Sequence, residues 1–193
     1  MDRLGPSANE EQIRQQLDRG ERLIWSGAPG QGIILRPSDA LAVPFSLMWG
    51  GFAIFWETSV IRSGAPGFFA LWGVPFVAVG LYLIVGRFFY DSFRRTRTLY
   101  GLTNQRALIV SGIWQRNTQS MFLEGLTNIN IRETRSNKGT ITFGLESNTF
   151  NGGFAGWPGA NRNTPPRFEE IEDARNVLAL IRTAQKSSAL RNE

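Results

Sequence analysis

From residue 40 to 56 and again from 63 to 86 the chain carries no charged side chain, and only the segment 57–62, with Glu57 and Arg62, separates the two runs. Such uninterrupted apolar stretches predict helices that cross a membrane rather than helices of a water-soluble core. The first run, 17 residues, spans about 26 Å as a helix, slightly under the ~30 Å hydrocarbon layer. Trp49 and Trp56 at headgroup depth and Arg36 reaching back to the surface would extend it. The second run, 24 residues, is long enough alone and carries Phe68, Phe69 and Trp72 near one end, with Phe88, Phe89 and Tyr90 beyond the other. That is the layout of two interfacial aromatic belts. Pro75 predicts a kink near 71–75, and Gly73 and Gly80, seven residues apart, would share a face and let the first helix approach near Gly50, Gly51 and Ala53.

The flanks have other periods. Ser7 and Glu10 have the spacing of a capping box and predict a short helix over 8–18, with Ile13 and Leu17 as its apolar stripe and Gly20 as its stop. Residues 21–25 predict a strand, 32–35 a second one, and Ser38 or Asp39 a helix cap. From Thr98 onward the pattern alternates, predicting five short strands over 99–103, 107–111, 118–123, 126–133 and 140–145. This spacing suits an antiparallel sheet or barrel, since no helix intervenes to make parallel crossovers. A Gly/Asn/Pro loop over 148–166 precedes a brief strand at 167–171 and a helix over 173–186, where Ala174, Val177, Leu178 and Ile181 line one face. Residues 187–193 read as a flexible tail.

Composition narrows the chemistry. The 193 residues contain no Cys and no His, which removes disulfides, thiolate and imidazole metal sites and the Ser-His-Asp arrangement together. No catalytic, cofactor or metal site is expected. The net charge of +5 is uneven: residues 1–39 hold five basic and six acidic groups, 40–96 four and two, and 97–193 twelve and eight. Basic residues interleaved with acids suit an anionic lipid surface better than nucleic acid, so no nucleic-acid partner is expected. The outer turn carries only Arg62, whereas Arg36 precedes the hairpin and Arg87, Arg94, Arg95 and Arg97 follow it. By the positive-inside rule both termini are then cytoplasmic.

Three segments carry a family resemblance: Gly20-Glu21-Arg22-Leu23-Ile24-Trp25-Ser26-Gly27 with Pro29, Tyr100-Gly101-Leu102-Thr103-Asn104-Gln105-Arg106-Ala107-Leu108-Ile109 followed by Leu126-Thr127-Asn128-Ile129, and Phe168-Glu169-Glu170-Ile171-Glu172-Asp173-Ala174. In this order they resemble the bacterial pleckstrin-homology (PH)-like domain proteins of the membrane. The resemblance implies a membrane α+β protein: a two-helix transmembrane hairpin plus a PH-like antiparallel β-sheet or barrel closed by a C-terminal helix. Residues 1–39 would supply the N-terminal helix and first strands packing on the PH-like domain, 40–90 the hairpin, 91–186 the PH-like domain and 187–193 the tail. It also implies a non-enzymatic binding or scaffolding module at the cytoplasmic face of the inner membrane, multi-pass. Its partners would be the bilayer, anionic lipid headgroups, its own copies as a homo-oligomer or another membrane protein. The alternative is an accessory subunit of a membrane transporter or channel.

The candidate site residues each carry two readings. Arg87, Arg94, Arg95 and Arg97 either touch anionic headgroups or act as a topology signal, and the positive-inside rule already accounts for the second. The 103–106 segment looks like a ligand loop, yet Thr and Asn at a turn satisfy local backbone groups, so a structural role with Arg106 paired to a carboxylate is the better reading. Phe150, Phe154 and Trp157 either dip into the interface, as Trp49, Trp56 and Trp72 would, or cover an open barrel end. Gly152, Gly153 and Gly156 lack the Lys-Ser/Thr of a phosphate loop. Glu57, at the edge of the first helix beside Thr58 and Ser59, is expected to be solvated, and Glu169, Glu170, Glu172 and Asp173 to complement a helix dipole.

Overall fold

The computed structural model describes residues 6–35, 39–112, 116–134, 137–145 and 165–190. They fall into two compact units: one built from 6–32, 93–145 and 165–190, the other from 33–92. The first is an α+β unit with two antiparallel sheets. Helix α1 (Pro6–Arg14) and strand β1 (Leu23–Gly27) come first; β2 (Thr98–Thr103), β3 (Arg106–Ser111) and β4 (Asn117–Phe122) complete a sheet in the order β1-β2-β3-β4. Strands β5 (Ile129–Glu133), β6 (Lys138–Phe143) and β7 (Arg167–Glu172) form the second sheet in that order. The second unit contains α2 (Asp39–Arg62), α3 (Gly67–Leu81) and a π-helical turn at Tyr82–Gly86; α4 (Arg87–Thr96) continues the same helix, and the chain ends in α5 (Ala174–Ala189).

Of the two expected forms, sheet or barrel, the described residues form open antiparallel sheets and no closed barrel. After β4 the chain makes a 3-10 turn at Leu123–Gly125 and starts the second sheet instead of extending the first. Helix α5 covers the gap. Its predicted stripe Ala174, Val177, Leu178 and Ile181 is buried against Tyr100, Leu102, Ile109, Ile141, Phe143 and Phe168. Gln185 Nε2 donates to the carbonyls of Leu123 and Leu126 at 3.0 Å each. The helix also runs past 186: Ser188 is buried and donates to Glu124 Oε1 at 2.8 Å, so residues 187–189 are anchored helix, not tail.

Strands β2 and β3 are buried on both faces, so Ala107-Leu108-Ile109-Val110 reads as a continuous apolar run rather than an alternation. Tyr100, Leu102, Ala107 and Ile109 face the inter-sheet core, while Leu108 and Val110 sit under α1 with Ile13, which is fully buried. Gly101 makes this docking possible, because a Cβ there would lie 2.7 Å from Ile13 Cγ2. Helix α1 starts one residue before the expected cap. Ser7 lies inside the helix, and Glu10 pairs with Arg14 at 2.6 Å rather than reaching back. Residues 32–35 form no strand, and the carbonyls of Gly30 and Gly32 are held by a side chain.

In the second unit, α2 and α3 are joined by a four-residue turn, 63–66, with Gly64 at φ +67°. Their seam is made of small residues: Ser46, Gly50, Ala53, Gly73 and Gly80 are buried. A Cβ on Gly80 would fall 2.8 Å from Gly50 Cα, a separation only glycine allows. The helix runs through Pro75 to Leu81, and a π turn follows at Tyr82–Gly86. Both Asp39–Arg62 and Gly67–Thr96 are long and apolar enough to cross a membrane.

Candidate functional site

The first two resemblance segments meet in space. Glu21, just before β1, receives a bidentate pair from Arg106 at the start of β3: Nε to Oε1 and Nη2 to Oε2, both 2.9 Å. Arg106 Nη2 also reaches Asp18 Oδ2 at 2.8 Å and Nη1 donates to Ser120 Oγ at 3.1 Å. Thr103 Oγ1 donates to Glu21 Oε1 at 2.7 Å and accepts from the backbone N–H groups of Gln105 and Arg106. Asn104 completes the junction, its Oδ1 accepting from Arg22 N–H at 2.8 Å while its own N–H donates to Arg22 O at 3.1 Å. Thr103 Oγ1, Asn104 Oδ1 and the Arg106 guanidinium therefore all have internal partners. The turn is a structural lock between β1 and the β2–β3 hairpin, as the pairing of Arg106 with a carboxylate anticipated.

Burial pushes the Glu21 carboxyl up, but hydrogen bonds from Arg106, Thr103 and the Asp18 N–H outweigh it, and the group sits below the ordinary carboxylate value. A depressed folded value means the lock stabilises the fold fully above the unfolded value near 4.5 and loses that contribution as pH falls through the folded one. Glu21→Gln is accordingly expected to lower stability at neutral pH and to flatten the acid side of the pH–stability curve, measured by urea unfolding at pH 7 and in steps below pH 4.5. An unchanged acid limb in the variant would refute the assignment.

The arginine array that the sequence placed after the hairpin divides. Arg95 is 2 % exposed; its Nη1 donates to Gly30 O at 2.7 Å and its Nη2 to Gly32 O at 2.6 Å. Arg87 is buried, paired with Asp39 at 3.2 Å and stacked over the Phe88 ring at 4.5 Å. Neither presents its guanidinium to an outside anion, which corrects the expectation for these two. Arg97 is exposed beside the Phe93 ring at 5.3 Å, and Arg94 is half-buried. Both buried arginines bridge segments far apart in sequence. Asp39 and Gly32 precede the apolar runs, so their partners after the runs were invisible to a linear reading.

The aromatic expectations also separate. Trp49 lies ten residues from Asp39 and thirteen from Arg62, in the middle of α2, because the helix extends beyond the uncharged run at both ends; it is not an end marker. Trp56 and Trp72 lie six and five residues from the helix ends at Arg62 and Gly67. Trp72 is exposed, and Trp56 packs where a side chain on Gly73 would be. Phe150, Phe154 and Trp157, with most of the 148–166 loop and Arg36, lie outside the described residues. Glu57, expected to be solvated, is half-buried. Its carboxylate is tucked against Gly73, and Oε2 is buried with no hydrogen-bond partner.

Among the described residues no three acidic groups converge as a metal-holding cluster. Glu169 and Glu170 belong to β7, not to a helix start. The Glu169 N–H donates to Tyr100 Oη at 3.1 Å, and burial together with the Glu169 charge pushes that phenol far up, keeping it neutral. No known protein family, curated protein or solved structure matches the chain significantly.

Proposed function

We propose that this chain is a PH-like module anchored in the bacterial inner membrane by a hairpin that interrupts its β domain, working without catalysis as a scaffold for lipid or protein partners at the cytoplasmic face. The observation that carries the reading is the inverted polarity of the α2–α3 pair. The small residues are spent on the seam between the helices, while Leu41, Phe52, Phe55, Phe69, Leu71, Trp72 and Leu81 are all at least half exposed. A surface of that kind is stable in hydrocarbon and not in water. The PH-like assignment is supported by the order of elements, a β1 that pairs with β2 across the inserted hairpin and a C-terminal helix that fills the opening between two sheets. Arg62 at the turn against Arg94 and Arg97 beyond α3 supports cytoplasmic termini. With Arg87 and Arg95 engaged internally, the exposed Arg97 remains for anionic headgroups.

The absence of cysteine makes topology directly testable. In intact cells a membrane-impermeant maleimide is expected to label Ser63→Cys, and to label Thr127→Cys only after permeabilisation. Equal labelling of the two, or release of the protein by alkaline carbonate, would overturn the reading. A second reading, an accessory subunit of a transporter or channel, is favoured by one observation: the unpartnered Glu57 oxygen inside the apolar hairpin. Acids at such positions are costly and usually serve transport or pairing. A transport defect in Glu57→Gln with normal insertion would select it.

A further inference from the structure

Two open sheets leave four edge strands, and three of them carry the features that keep edges from pairing with other chains. Strand β1 has a bulge between Leu23 and Trp25, and just beyond its end the Gly30 N–H donates to Glu169 O on β7 at 3.3 Å. Strand β7 shifts register against β6, bends at Glu170 with φ +48°, and carries Arg167, Glu169, Glu170 and Glu172. Strand β5 ends in Arg132 and Glu133, the latter held by Arg175 of α5 at 2.5 and 2.6 Å. Among the described residues, strand β4 has no such protection. Asn117-Thr118-Gln119-Ser120-Met121-Phe122 contains no charge and no proline, pairs with β3 along its whole length without a register shift, and is exposed at every residue but Met121. Along its free side every second residue directs its N–H and C=O away from β3.

We propose that β4 is a strand-addition edge whose occupant is β4 of a second copy, antiparallel, so that two four-stranded sheets become one continuous sheet across a two-fold axis. A contact between identical patches must be complementary to itself, and β4 is. With the axis at Gln119, Thr118 of one copy faces Ser120 of the other, a favourable hydroxyl pair, and no like charges meet within the strand. At both ends Phe122, 64 % exposed, faces the exposed Arg116 of the other copy, a cation–π pairing that occurs twice by symmetry. The inference goes beyond the membrane reading and does not depend on it, since only the sheet unit is required.

The test uses the full chain in detergent or nanodiscs. Thr118 and Ser120 already bond to Gln16 and Arg106, so the variants are placed at the exposed Gln119. Mass measurement is expected to give a dimer for the native chain. Gln119→Lys is expected to weaken it about fivefold to tenfold by setting like charges across the axis, with thermal unfolding of the monomer unchanged. Mixing Gln119→Lys with Gln119→Glu chains restores a dimer, now mixed. Gln119→Cys is expected to oxidise to a cross-linked pair, because facing Cα atoms in such a ladder lie within disulfide range, whereas Asn130→Cys on β5 does not. A native monomer, a dimer indifferent to Gln119→Lys, or equal cross-linking at 119 and 130 would each overturn the proposal.

Discussion

Replacing Arg95 with alanine is expected to destabilise the sheet unit by about 3–5 kcal/mol, summing two lost charge-assisted hydrogen bonds and the cavity left by a fully enclosed side chain. Arg95 donates to the carbonyls of Gly30 and Gly32, and alanine removes both bonds. For a unit of this size the loss corresponds to roughly 10–20 °C in Tm, read by thermal unfolding of the solubilised full chain. Cleavage by a protease within 28–35 should rise in parallel, because that segment has no ladder of its own. Arg95→Lys keeps the charge but replaces a planar fork with a point donor, so an intermediate loss is expected. An alanine variant that melts with the native chain would show the clamp to be dispensable, and with it the account of how the chain is held where it leaves β1.

Phe168→Ala is expected to cost a similar ~3–5 kcal/mol. The ring is fully buried and is the meeting point of the aromatic core, with centroids at 4.6 Å from Tyr100, 4.9 Å from Phe143 and 5.7 Å from Trp25. Trp25 and Tyr100 belong to the first sheet and Phe143 to the second, so the truncation opens a void between layers and removes ring pairs worth about 0.5–1.5 kcal/mol each. Phe168→Leu, which retains most of the volume, should lose about 1–2 kcal/mol. Chemical unfolding at neutral pH measures both. Near-equal losses for Ala and Leu would mean that something other than filled volume sets the effect.

Where one element's own residues decide its form, the linear reading matched the structure. The α5 stripe repeats at i, i+3, i+4 and i+7, and burial of one helix face follows from that period wherever the helix docks. The β2–β3 turn was legible for the same reason, since Thr103 Oγ1 satisfies the backbone N–H groups of Gln105 and Arg106 close by, whereas the partner of Asn104, Arg22, lies far away in sequence. The failures share the opposite property. Glu10 had two partners within reach, a backbone N–H and Arg14, and helix geometry selected the second. Ser188 and Glu124 are 64 residues apart, so nothing local showed that the supposed tail is anchored. The four arginines after the hairpin look alike in sequence, yet Arg87 and Arg95 are buried and Arg97 is exposed. Successive helix positions turn through the interior and out again, and which ones find a carbonyl or carboxylate depends on chain that arrives from the far side of the apolar runs.

By itself the sequence determined the existence of two long uncharged helices, their contact through Gly50, Gly73 and Gly80, the period-two region after Thr98 and the docking face of α5. Each follows from side-chain size and polarity at fixed local spacing. Only the tertiary structure decided that the sheets stay open with α5 in the gap, that one Glu57 oxygen is buried against Gly73, that Glu21 and Arg106 form one lock and that β4 is the unguarded edge among the described residues. Those outcomes rest on which backbone groups find partners across long stretches of chain, a competition that no single segment contains.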